Sequence, residues 1–173
     1  MNPCSRGMKK GAVRNSLKIT LSDYLPYLVN RVGTIMAEQF GAETLAPHGL
    51  SIAMWRVMAA LAANGSQRQI DLAELTSIDT STLSRMVTRL TRLGLATRTR
   101  STSSNREVVV ALTGTGNALV GRLIPLARAI EGDASAGISA GELAVIKRCL
   151  RRMYANMTRR NATSLVRPKR AAL

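Results

Sequence analysis

Apolar residues recur at helical spacing along most of this chain, and that period is interrupted only once, between about residues 96 and 113. Leu25, Leu28, Val32, Ile35 and Met36 set one stripe along residues 21–40 and predict a first helix. Ser22 is its expected N-cap, and Pro26 fits poorly beyond the first turn. Residues 41–49, rich in turn formers, read as a loop. Residues 51–65 predict a second helix, capped by Ser51 and stopped at Asn64-Gly65. Residues 69–77 predict a short third helix. After a tight turn, Leu83, Met86, Val87, Leu90 and Leu93 mark a fourth helix over about residues 80–93, and Gly94 ends it.

Between residues 96 and 113 the pattern becomes that of strands. Residues 107–112 are, after Glu107, apolar and largely β-branched and residues 101–105 are turn formers, which predicts a small β-hairpin with a polar tip. Thr113 then caps a fifth helix that runs to about Ile130, with a kink at Pro125. Residues 132–141 read as a linker. The stripe Leu143, Ile146, Leu150, Met153, Met157 predicts a last helix over about residues 140–160. The expected fold is therefore mainly α with one small β-hairpin.

Charge changes this picture from a helical protein to one that expects a polyanion. The 173 residues carry 25 Lys and Arg against 10 Asp and Glu, a net charge of +15. The excess is clustered: residues 1–19 hold five basic residues and no acid, residues 80–106 hold six Arg and no acid, and residues 143–173 hold nine basic residues and no acid. The first 19 residues and residues 161–173 are expected to be basic tails flanking one domain over 20–160. One histidine, no Cys-His metal spacing and no Gly-rich phosphate loop argue against an enzyme and against a metal or other cofactor. No apolar run suits a bilayer span and no signal-peptide pattern opens the chain, so no membrane partner is expected and a cytoplasmic protein is.

The fourth helix carries the chemistry. Its inner face packs through Leu83, Met86 and Leu90, while Thr80, Ser81, Thr82, Ser84, Arg85, Thr88 and Arg89 offer short hydroxyls and long cations on the outside. A major groove accepts one helix, and a carboxylate on its outer face would repel phosphate. Two helices joined by a short turn, with this one second, suggest a helix-turn-helix, and with the hairpin as its wing a winged helix-turn-helix over about residues 51–113. Arg98, Arg100 and Arg106 on the hairpin suit the phosphate backbone or a narrow minor groove. A basic coating protein without sequence preference is the rival reading, and a steep salt slope without a preferred site would identify it.

In this order the motifs resemble the MarR family of bacterial transcription regulators. The likeness rests on the Leu-rich helix with Trp55, the Leu72-Ala73-Glu74 helix, the S-T-x-S-R recognition helix, the R-L-x-x-L-G-L close from Arg89 to Leu95, the wing, and the L-T-x-x-G start from Leu112 to Gly116. One position departs: Ser104 stands where the family wing often carries an Asp that steers the following Arg, here Arg106. The resemblance implies a homodimer on double-stranded DNA at a pseudo-palindromic site, with the first helix (about 20–40) and the segment 114–160 forming the dimer base. It also implies a repressor released by a small effector, an anionic aromatic molecule, held in a crevice lined by Tyr27, Arg31, His48, Met54, Trp55 and Met58. An alternative switch is oxidation of Cys149 or Cys4. Cys149 has basic neighbours but falls on the apolar side of its helix, where burial would make it inert.

Overall fold

The computed structural model describes residues 19–100 and 107–165, with side chains as far as residue 159. Among the described residues six α-helices and three short strands follow in the order α1 (Leu25–Gln39), α2 (Ile52–Asn64), β1 (Gln67–Arg68), α3 (Gln69–Thr76), α4 (Thr80–Arg92), β2 (Ala96–Arg100), β3 (Val108–Leu112), α5 (Gly114–Ala134) and α6 (Ala140–Leu165). The chain divides into two compact units, Met1–Ala127 and Arg128–Leu173.

The first unit is held by apolar side chains drawn from α2, α3, α4, β2, β3, α5 and the segment 40–50. Leu45, Val57, Met58, Leu72, Leu83, Val87, Leu90 and Val110 are wholly buried. Among the described residues no polar or charged residue is buried, so apolar burial and backbone hydrogen bonds account for this core. Ser51 caps α2 as expected, its hydroxyl accepting from the Met54 amide at 3.3 Å. Asn64 precedes Gly65, which ends α2 with φ 72°.

Three expectations need correction. Residues 41–49 are not a loop: Phe40–Leu45 form a π-helical turn and Ala46–His48 a 3-10 turn. Phe40, Leu45 and Leu50 are the buried positions there, five residues apart, which suits i→i+5 pairing such as the Leu50 amide donating to the Leu45 carbonyl at 3.2 Å. Ser22 does not cap α1. It lies in a 3-10 turn, Leu21–Asp23, and Tyr24 is the N-cap, which places Pro26 inside the first turn where its missing N–H is harmless. The linker is shorter than expected, because α5 reaches Ala134 and α6 begins at Ala140.

The hairpin is also richer than expected. Its strands β2 and β3 pair antiparallel, Ala96 opposite Leu112 through Arg100 opposite Val108. The two residues of β1 add a third strand on the other side of β3. Thr113 ties this sheet to two helices. Its hydroxyl donates to the Gly94 carbonyl at 2.7 Å and accepts from the Gly116 amide at 2.9 Å, capping α5 as expected.

In the second unit, Ser139 and Glu142 form a capping box at the start of α6, with the Ser139 amide and hydroxyl donating to the Glu142 carboxylate at 2.9 and 2.6 Å. Those bonds hold the Glu142 carboxyl below its ordinary range. Lys147 pairs with Glu131. No side chain of α6 among the described residues is buried, and Cys149 is exposed, which overturns its expected burial. No helix among the described residues is long and apolar enough to cross a membrane.

Candidate nucleic-acid interface

The turn between α3 and α4 is compact because three residues do separate work. Ser77 takes the left-handed conformation, φ 55°, and ends α3, while the Ile78 amide donates back to the Ala73 carbonyl at 3.1 Å. Asp79 then caps α4. Its Oδ1 accepts from the Thr82 amide at 2.8 Å and from the Ser81 hydroxyl at 2.7 Å. The hydroxyls of Ser81 and Thr82, with the Thr82 amide, hold the Asp79 carboxyl far below the usual carboxylate range.

A depressed carboxylate contributes stability that is present above its unfolded pKa, about 3.9, and lost as pH falls through the folded value. Asp79→Asn keeps the capping oxygen and removes the charge. Its melting temperature is therefore expected to fall less than that of the parent when pH is lowered from 7 to 3. Parallel melting curves for the two proteins across that range would contradict this role.

Helix α4 buries Leu83, Val87 and Leu90 and leaves Arg85, Arg89 and Arg92 exposed, so the outward stripe is basic as expected. Not all of its polar atoms are available. The Thr88 hydroxyl donates to the Ser84 carbonyl at 2.9 Å, within the helix. Arg85 Nη2 donates to the Thr82 hydroxyl at 3.1 Å, one turn back on the same helix. Arg89 Nη2 reaches off the helix and donates to the Gly49 carbonyl at 3.0 Å. Thr80 is exposed at the first turn.

On the wing, Arg98 and Arg100 lie two residues apart on β2, both exposed, and therefore project to the same side of the hairpin. Ser104, Arg106 and Cys4 lie outside the described residues, as do residues 1–18 and 166–173 of the expected basic tails, whereas residues 161–165, expected as tail, continue α6. The wing root holds a group that sequence reasoning missed. Arg68, at the end of β1, makes a bidentate pair with Asp71 on α3 at 2.6 and 2.8 Å and reaches Glu107 beside β3 at 3.0 Å. The guanidinium is held above its ordinary range by these carboxylates, Asp71 first. Only the short Arg68-x-x-Asp71 spacing hinted at it, since Glu107 is distant in sequence.

The six residues expected to line an effector crevice differ in burial and in what they touch. Met54 and Met58 are buried in the core, 2% and 0% exposed, because α2 is apolar on nearly all sides. Trp55 is half-buried and meets Phe40 edge to face at 5.3 Å. Arg31 lies over the Tyr27 ring at 5.8 Å on α1, and His48 is exposed. A shallow groove containing Arg31 runs along α1 beside Leu28, Val32 and Ile35. No group of His, Cys, Asp and Glu among the described residues is placed to hold a metal ion.

A model of the MarR family matches residues 50–108, the segment from the residue before Ser51 to the start of β3. An HTH-type transcriptional repressor, NicR of Pseudomonas putida, is 33% identical over 96 residues, 56% of this chain and 61% of that protein. A MarR-family regulator of Silicibacter pomeroyi superposes with a TM-score of 0.70 at 33% identity, over 79% of this chain and 91% of its own. The Bordetella bronchiseptica regulator BpsR, whose DNA binding is regulated by 6-hydroxynicotinic acid, superposes with a TM-score of 0.68 at 27% identity, over 75% of this chain and 97% of its own.

Proposed function

The chain belongs to the MarR family of transcription regulators, which bind DNA and are not enzymes, and from that premise we propose a homodimeric repressor of a pseudo-palindromic operator. Helix α4 enters the major groove through Thr80, Ser81, Thr82, Ser84 and Arg85, and the wing follows the adjacent backbone with Arg98, Arg100 and Arg106. The single observation that carries this reading is α4 itself: one face wholly buried at Leu83, Val87 and Leu90, the other exposed, basic and without a carboxylate. A two-fold dimer sets the half-sites about one helical turn apart. Binding there blocks transcription sterically, in the bacterial cytoplasm.

The effector is a small aromatic carboxylate that loosens DNA binding. The hydroxynicotinic acid of BpsR belongs to that chemical class. Arg31, exposed on α1, is the cation best suited to meet the carboxylate, with Tyr27 beside it. The burial of Met54 and Met58 favours Arg31 and Tyr27 over them as the contacts.

Arg85→Ala tests the groove-reading role. A side chain that reads a base costs about 1–3 kcal/mol when removed, mainly at the preferred site. Binding of the variant to a duplex selected by the parent protein from random sequence is expected to weaken by that amount, while binding to a scrambled duplex changes little. Equal weakening on both duplexes would assign Arg85 to phosphate instead.

A further inference from the structure

We propose that Arg89 is a positioning residue that fixes α4 against the α1–α2 connection, and that it does not contact DNA. The proposal rests on the reading of α4 as the groove helix. Arg85 and Arg89 lie one turn apart on the same exposed stripe, yet their guanidinium groups do different things. Among the described residues Arg85 bonds only to Thr82, within its own helix. Arg89 spans forty residues of sequence to the Gly49 carbonyl.

That acceptor is rigid. Leu45 and Leu50 anchor the connection in the core on either side of it, 0% and 6% exposed. The Gly49 amide donates to Ala46 at 2.9 Å and the Leu50 amide to Leu45 at 3.2 Å. Gly49 has φ 67°, a left-handed turn that directs its carbonyl and suits glycine. Ser51 caps α2 directly afterwards. The apolar stripe sets how deeply α4 sits on the core, and the Arg89 bond sets its roll at the C-terminal half. A helix that rolls presents Ser84 and Arg85 to the groove at the wrong angle. The basic stripe thus divides into a reading half at the N-terminus and a bracing half at the C-terminus.

The test is Arg89→Ala, with the parent and Arg85→Ala on the same two duplexes, one selected by the parent protein from random sequence and one scrambled. Removing a brace weakens the selected duplex, by about tenfold for one charge-assisted hydrogen bond, and leaves the scrambled duplex and the salt slope as they were. Amides of residues 49–51 in the DNA-free variant exchange faster, which a phosphate contact would not cause. A residue that merely adds stability would lower the melting temperature and leave the preference between duplexes intact. The proposal is overturned if both duplexes weaken together and the slope falls by about 0.9, the signature of one lost phosphate contact. It is overturned equally if the preference is unchanged, or if exchange at 49–51 is unchanged. A selection that enriches no sequence would overturn the groove reading itself, and Arg85→Ala reports on that reading separately.

Discussion

Gly116→Ala is expected to destabilise the protein by about 3 kcal/mol, the upper range for forcing volume into a packed site. A Cβ built on Gly116 falls 2.0 Å from the Leu95 carbonyl oxygen and 3.0 Å from its carbon. Both are backbone atoms of the short turn between α4 and β2, so no side-chain rotation can yield. Helix α5 must retreat or the turn must open, and either movement breaks the Thr113 bonds to Gly94 and Gly116. Alanine favours a helix more than glycine by about 1 kcal/mol, which offsets only part of this. Denaturant unfolding of the variant checks the figure. A midpoint equal to or above that of the parent would mean the approach relaxes without cost.

The second large effect concerns self-association. Helix α1 exposes Leu25, Val29, Val32 and Ile35, with Val32 53% and Ile35 52% exposed, and buries none of its residues. Helix α6 exposes Ile146, Leu150, Met153 and Met157 along one stripe. Such faces are stable in water only when covered, and each large side chain so covered contributes on the order of 1–2 kcal/mol. The proposed occupant of both faces is a second copy of the chain. Val32→Asp and Leu150→Asp, made separately, each place a carboxylate in that interface, twice over because the dimer is two-fold. Light scattering at micromolar concentration is expected to give a dimer for the parent and a monomer for each variant. DNA affinity should fall by at least about a hundredfold, since one half-site then binds alone. A parent that runs as a monomer, or variants that remain dimeric, would place the apolar faces in another role.

The helices were legible because each needs one apolar stripe, and α4 shows it most plainly in Leu83, Val87 and Leu90. Thr113 and Ser51 were legible as caps because a hydroxyl ahead of a periodic segment has few other uses. The turn at Phe40–Leu45 was hidden, since burial every five residues matches neither the helix nor the strand template. Strand β1 was hidden by its length of two residues. On α2, where nearly every position is apolar, spacing could not tell which methionines face inward, and Met54 and Met58 proved to be core. In the interface, the exposed cations followed from the missing acids between residues 80 and 106. Which of them is already engaged did not follow, because the partner of Arg89 lies 40 residues away, just as Glu107, the second partner of Arg68, lies 39 away. Asp79 was passed over because it lies one residue before the helix whose cations drew the eye.

Fluorescence anisotropy would test the central claim most directly, comparing the duplex upstream of the protein's own gene and a duplex selected from random sequence with a scrambled one, at two salt concentrations. A site-specific regulator is expected to prefer at least the selected duplex, and to keep that preference when raised salt weakens all three. Equal binding to all three, lost together as salt rises, would contradict it and leave a basic protein that coats nucleic acid without reading it.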